Sequence, residues 1–518
     1  MFSAVLAVAF SFAAADSRAA AEDDVCRRRV LLDGKEIGTW MCRVSAMPFN
    51  RIWTGVQRPV DQARDAVVAS FDLVAPGTVE VLGYPSECSP ILFPLSESNR
   101  LTRTQAGFAV HLDRPAQYVI DFGPTAPPLH LFADPPFRRS HAAGEMYFGP
   151  GEHDAGVISP TNGQTVVIDR GAVVKGAIFL DHVTNVTVMG RGVLDCSDLA
   201  RADPLLVEYR RARGYKLYDA GFGCHACVIC GSENVRFEGF VIQDTPLWAL
   251  VVRSGSRNVV IDNVKIVGQW RYNSDGIDVS ASSDVVVKNC FVRSFDDCLV
   301  VLGAYLDKTC NRTERVRFEN CRLWCDWGAS FKLWSPSGSN IYRDILVRNC
   351  KLLHSFQSPL HVRDSVGGAD TRIENVRLEG LELDFLAPPL AGILQKKDDM
   401  RYPGDRRAST LALATVACLW PKDDFGNQKF VRVKDPAKYR SSISNVTFEN
   451  FSFYGEVPPL VASIMTEAPN QIVSNVTFRG MPPVSVKTRG NVVGVRQLET
   501  CSPMPFRLGE TRLFKMGE

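Results

Sequence analysis

The sequence predicts an all-β protein: a right-handed parallel β-helix preceded by a small β-sandwich domain. Three observations lead there. A short motif recurs along most of the chain, apolar and polar residues alternate inside each copy, and the first 140 residues keep the alternation without the repeat.

The motif reads NVTVMGRGVL from Asn185, NVRFEGFVIQ from Asn234, NVVIDNVKIV from Asn258 and DVVVKNCFVR from Asp284. It continues as RVRFENCRLW from Arg315, DILVRNCKLL from Asp344 and NVRLEGLELD from Asn375. It returns as NVTFENFSFY from Asn445 and NVTFRGMPPV from Asn475. From Asn234 to Asn375 the copies start 24, 26, 31, 29 and 31 residues apart. The wider gaps elsewhere read as multiples of that spacing with insertions. One copy cannot bury its own apolar face. Stacked copies can, because strands ~4.8 Å apart form parallel sheets with ladders of inward side chains. A leucine-rich framework is missing, and propeller blades would be longer. Cys290, Cys321 and Cys350 each follow an Asn in the same slot. They are expected as an internal ladder beside an Asn ladder.

The domains follow from these patterns. Residues 22–140 form the sandwich, with strand-like runs such as VLLDGKEIGTW and GFAVHLDRPAQYVIDFG. The Pro-rich stretch Thr125–Arg139 is the link, and coils begin near Tyr147. Residues 141–505 form the β-helix, and 506–518 a tail. Two insertions, 198–226 and 386–440, interrupt the coils. Long loops on a rigid solenoid commonly wall a binding face.

Charge and composition narrow the function. A net charge of +2 and a pI near 7.9 give neither a nucleic-acid footprint nor a polybasic membrane anchor. The apolar run Ala4–Ala15, followed by small residues, reads as a signal peptide within residues 1–21, although no Lys or Arg precedes it. No later run reaches ~18 apolar residues. A soluble secreted, extracellular or periplasmic protein is therefore expected, with oligomeric state open. The cysteines number fifteen, so one must stay unpaired within a monomer. Cys224, Cys227 and Cys230 enclose His225, but no fourth zinc ligand or second pair is evident. They read as small buried residues or a local disulfide, and no metal or cofactor is expected.

The densest acids on the repeat are in NSDGIDVS (Asn273–Ser280) and SFDDCLVV (Ser294–Val301). Asp275 precedes Asp296 by 21 residues and Asp297 by 22, close to one coil. Stacking therefore brings three carboxylates onto one face, and their crowding raises at least one pKa. Cleaving a glycosidic bond needs that split: a protonated acid for the leaving oxygen and an ionised carboxylate for water or attack. Adjacent residues of a strand face opposite sides, so Asp296 and Asp297 share a cleft only where the backbone bends.

NSDGIDVS, SFDDC at that separation and DTPLWALVVRSGSRNVVIDNVKI (Asp244–Ile266) resemble the polygalacturonases of glycoside hydrolase family 28. They are also similar to the related dextranases and isopullulanases of family 49. YFGPGEHDAG, GQTVVIDRGAVVKGAI and NVTVMGRGVLDCS are similar to the opening coils of that clan. The resemblance runs from about residue 145 to 385. It implies a pectin-lyase-like solenoid and inverting hydrolysis of a polysaccharide or oligosaccharide. Asp296 would be the general acid, and Asp275 with Asp297 would activate water.

Two departures matter. Polygalacturonases carry Gly-His-Gly one coil after the Asp pair, where this chain has CDWGASFKLWS (Cys325–Ser335) without His. In place of their Arg-Ile-Lys, the nearest match is HVRD with His361 and Arg363. These differences point away from a galacturonate grip. Asn273, Trp327, Lys332, His361 and Arg363 are the candidate substrate-binding residues. A β-helix polysaccharide lyase and a non-catalytic glycan-binding β-helix are the alternatives.

Overall fold

The computed structural model describes residues 28–46 and 60–501, less 86, 124–125, 138–143, 202, 213–224, 304–309, 336–338, 356–357, 365–369, 386–411 and 420–435. Of these, residues up to 41 and 66–136 form one compact unit, and residues 42–65 and those from 137 onward form the other. The proposed leader and tail lie outside the described residues.

The first unit holds two β-sheets. In one, Arg29–Leu32, Lys35–Ile37, Gly77–Leu82, Gly107–Leu112 and Leu101–Arg103 pair antiparallel. In the other, Leu129–Asp134 runs parallel to Ala63–Asp72 and antiparallel to Ala116–Asp121. Alternation puts Val79, Val81, Phe108 and Val110 of the first sheet against Val67, Ala69, Leu129 and Leu131 of the second. This is the sandwich that the sequence predicts.

The second unit is the right-handed parallel β-helix. Each coil contributes strands to three columns. In the first column, Glu233–Glu238, Arg257–Asp262, Ser283–Lys288, Arg312–Glu319, Ile341–Arg348 and Arg372–Glu379 stack in parallel. Their register runs Val235, Val259, Val285, Val316, Ile345, Val376, which reproduces the spacings of the repeat. The other two columns meet in the long strand Ala172–Asp181. Its first half pairs with Val193–Asp195 and its second half with Cys227–Cys230. The inward residues of all three columns form one continuous apolar core.

The first residue of each motif copy has a structural task. Asn185, Asn234, Asn258, Asp284, Arg315, Asp344, Asn375, Asn445 and Asn475 all hold φ between 53° and 58°. Side chains with a local polar group tolerate that left-handed region best, which explains the recurrent Asn and Asp. The amides also link coils: Asn258 Nδ2 donates to Asn234 Oδ1 at 3.2 Å and Asn445 to Asn375 at 3.1 Å. Arg315 fills the slot differently, with its guanidinium on Asp284 at 2.7 and 3.0 Å. Cys290, Cys321 and Cys350 are fully buried free thiols, each after an Asn in the same left-handed region.

Two expectations need correction. The wider gaps hold no extra coils: Val186 pairs directly with Val235, and Val376 with Val446. A long excursion from one coil adds residues without adding a rung. The stretch 386–440 is also more than an insertion, because Ala414–Cys418 stacks between Leu360–Asp364 and Val461–Thr466. Within the other insertion, Pro204–Ala212 is an α-helix. Finally, Cys227 points into the core whereas Cys230 packs outside with Phe179 and Val228. Their odd spacing on one strand puts the two side chains on opposite faces of the sheet. Cys224 lies outside the described residues.

Candidate active site

The site is built where the second column hands over to the third. Asn273 turns the chain at φ 59°, and Ser274 Oγ donates to Arg271 O at 2.7 Å. Asp275 follows, then the strand Ile277–Ser280. One coil on, Phe291–Ser294 ends, the chain bends through Asp296 and Asp297, and Leu299–Leu302 begins. Gly276 N donates to Asp297 O at 2.8 Å and Asp296 N to Ser274 O at 3.3 Å, which locks the two bends together. Ser294 Oγ donates to Asp296 O at 2.6 Å and fixes the bend from within.

Two glycines make room for this. A Cβ on Gly276 would meet Cys298 O at 2.4 Å. A Cβ on Gly328 would lie 2.5 Å from Asp296 C and Asp297 N, and 2.7 Å from Asp296 Oδ1. The GAS stretch of the next coil thus packs directly against the acid pair.

Asp275, Asp296 and Asp297 each offer an oxygen within 4.8 Å of the others. All three are buried, at 4%, 9% and 3% exposure. Asn273 Nδ2 donates to Asp275 Oδ1 at 3.1 Å. Asp297 accepts from Ala329 N at 2.7 Å and from the Lys332 ammonium at 2.5 Å. Three acids this close are near enough for one cation to bridge, and the cation that the chain itself supplies is Lys332. Burial, above all, pushes the Asp275 carboxyl well above the ordinary range, and Asp296, Asp278 and Asp297 add to it while Lys332 opposes. Coupled acids of this kind share their protons as a unit.

The remaining candidates spread along the third column. Lys332 and His361 are neighbours in register on one outward ladder, and Trp334 and Arg363 on the next. Lys332 reaches back to Asp297 and lies 4.9 Å from the Trp334 ring centroid. Trp327 is 8% exposed and stacks on Phe295 at 5.4 Å, so one ring face is already covered. Trp324 is buried as well, stacked on His354.

Sequence reasoning missed Asp278. Ile277 and Val279 enter the core, so Asp278 faces outward between Val251 and Val300. Its signal was an acid on the outward phase of a strand that directly follows Asp275. A groove of about 680 Å³ lies elsewhere, on the outer face of the first column near Asp284, Arg315, Asp344 and Arg377. Its charges are paired, as in Arg315–Asp284 and Arg377–Glu449, and it gathers no cluster of acids.

With this geometry in place, the relatives can be set beside it. Residues 157–391 match the model of glycosyl hydrolases family 28. The chain resembles that family where its acids meet. The resemblance to dextranases holds too. Over 272 residues the chain is 25% identical to a dextranase of Arthrobacter sp. (strain CB-8), covering 46% of this chain and 40% of that protein. It is 25% identical to endopolygalacturonase A of Aspergillus niger over 160 residues, covering 29% of this chain and 40% of that protein. The chain thus spans about 40% of the length of these curated relatives. Among solved structures, Dex49A from Penicillium minioluteum shares the fold, with a TM-score of 0.53 and 12% identity over 88% of this chain and 87% of that one.

Proposed function

We propose that this protein is a glycoside hydrolase that cleaves a polysaccharide or oligosaccharide by general acid/base hydrolysis. The observation that carries this reading is the buried trio of Asp275, Asp296 and Asp297, with one lysine set against it. The match to glycosyl hydrolases family 28 over the same coils supports it.

Asp296 protonates the leaving oxygen in this reading. Asp275 and Asp297 hold the attacking water and take its proton. Both oxygens of Asp297 accept hydrogen bonds, so it stands as an acceptor, which a base must be. The upward push on Asp275 alone would suit an acid. In a coupled cluster, however, the proton moves within the unit, and the family correspondence assigns the donor to Asp296. Two-acid enzymes with carboxyls this close retain configuration, whereas inverting ones separate them by ~6.5–9.5 Å. Inversion here rests on the family resemblance.

Lys332, His361, Arg363, Asn273 and Trp327 are the proposed contacts to sugar. Lys332 is engaged by Asp297, so this lysine is not free to grip a uronate carboxylate. No helix among the described residues is long and apolar enough to cross a membrane. The apolar run Ala4–Ala15 supports export, and the mature N-terminus recovered from culture medium tests it.

The decisive experiment is a screen of the purified protein against polygalacturonate, rhamnogalacturonan, dextran, pullulan and other glycans, with Asp296→Asn as control. Reducing sugar released from one glycan, and lost in the control, is the expected result. Equal release by the control would overturn the role of the trio.

A further inference from the structure

Asp278 lies on the same motif as Asp275 yet has no place in the mechanism above. On its outward ladder the order is Val251, Asp278, Val300, Lys332, His361. Its side chain is fully buried, and neither carboxylate oxygen has a hydrogen-bond partner among the described residues. Both neighbours in register are valines, so a valine would fit the ladder and avoid burying a bare carboxyl.

The charged groups around it are those of the site. Burial, above all, pushes the Asp278 carboxyl up; Asp297 and Asp296 add to it as like charges and Lys332 opposes, while Asp278 in turn acts on Asp275. On the preceding strand, Arg253 stands two residues beyond Val251, on the same outward phase. The following strand, Leu299–Leu302, brings no charge. The one after it brings Lys332, and His361 lies beyond.

We propose that Asp278 is a positioning residue for the carboxylate trio: a fourth, buried acid that keeps a proton resident on the other three. This deepens the hydrolase reading and rests on it. Four acids opposite one ammonium cannot all ionise at once. Lys332 offsets one charge, and the rest of the cluster retains protons that isolated carboxyls would have lost. The general acid needs such a proton at the start of each turnover. Asp278 has no need to touch the substrate, in keeping with its full burial.

The test compares the parent protein with Asp278→Asn, which keeps the shape and removes the acid. With one negative group fewer, the trio ionises more readily. The whole bell-shaped kcat profile should move to lower pH by about one pH unit, and activity on its alkaline side should fall roughly tenfold, with KM unchanged. A merely structural residue would lower Tm and leave the profile in place. Asp278→Val, which matches the neighbouring valines, stands in if the Asn variant fails to fold, and should shift the profile the same way.

Carboxyl carbon-13 NMR titration of the aspartates gives a readout that needs no substrate. The trio should titrate at lower pH in both variants. A shifted titration in a protein that cleaves no glycan would support the coupling and sink the hydrolase reading. An unshifted titration and an unshifted profile in an active enzyme would overturn the role of Asp278.

Discussion

The outer face of the first column and the outer face of the third treat charge in opposite ways. On the first, Arg236 bridges Glu238 at 2.7 Å and Asp262 at 3.3 Å, and Arg343 meets Glu374 at 3.0 Å. These pairs are partly exposed and balanced, and each contributes about 0–1 kcal/mol. On the third, Asp275, Asp296 and Asp297 crowd together in buried positions with Lys332 as their near cation, and the buried Asp278 follows on the next strand. Both faces use the same alternation on the same stacked strands. The difference shows that the fold does not require the acid cluster, because neighbouring coils stack equally well without one. A buried group of like acids that stability does not require is a candidate chemical site.

The strongest way to break this comparison is to neutralise the cluster. Asp296→Asn and Asp275→Asn should each lower kcat by ~10²–10⁴, while circular dichroism and Tm show an intact fold. Unfolding of both variants would make the acids structural instead.

Asp364 sharpens the contrast, as a buried acid outside the trio that accepts a hydrogen bond from Ser441 Oγ. Burial pushes its carboxyl from 3.8 to about 7. The folded state therefore holds a proton that the unfolded chain releases near pH ~4. Stability present below that pH is lost as pH rises toward 7, at about 1.4 kcal/mol per pH unit. Asp364→Asn should flatten Tm against pH over this window. An unchanged slope would remove Asp364 as its source.

Gly328 tests how tightly the next coil supports the acids. Adding a Cβ 2.5 Å from the Asp296–Asp297 peptide should displace the trio. Gly328→Ala is expected to cost ~10² in kcat, the scale of a 1 Å misplacement. Steady-state kinetics check this, and near-parent turnover would mean that the bend tolerates movement.

The smallest effect belongs to the first column. Asn375 holds φ 58°, donates to Asp344 at 2.9 Å and accepts from Asn445 at 3.1 Å. Asn375→Ala should cost about 1–2 kcal/mol, from left-handed strain and lost hydrogen bonds. Activity should stay at the parent level, and chemical denaturation reads the stability loss.

Much of this was legible in the sequence because the β-helix repeats one local problem. The copies from Asn234 to Asn375 gave their own register, since each apolar residue meets its counterpart one coil away. Asp275, Asp296 and Asp297 were legible for the same reason: their separation is one turn of the solenoid. The direct pairing of Val376 with Val446 was hidden, because a long excursion and an extra coil look alike in a count of residues. The left-handed role of the leading Asn was hidden too, since a backbone angle leaves only a composition bias behind. Asp278 was overlooked because Ile-Asp-Val reads as ordinary strand alternation, and burial on an outward ladder depends on what packs over it. Gly328 was overlooked because its constraint comes from the coil before it.

The central claim is that the trio adds water across a glycosidic bond. The most direct measurement is mass spectrometry of the products formed in oxygen-18 water from whichever glycan the screen identifies, for the parent and Asp296→Asn. The account predicts one oxygen-18 per cleaved bond in the parent, none in the variant beyond background, and saturated products. Unsaturated products without label, or cleavage that survives in the variant, would contradict it.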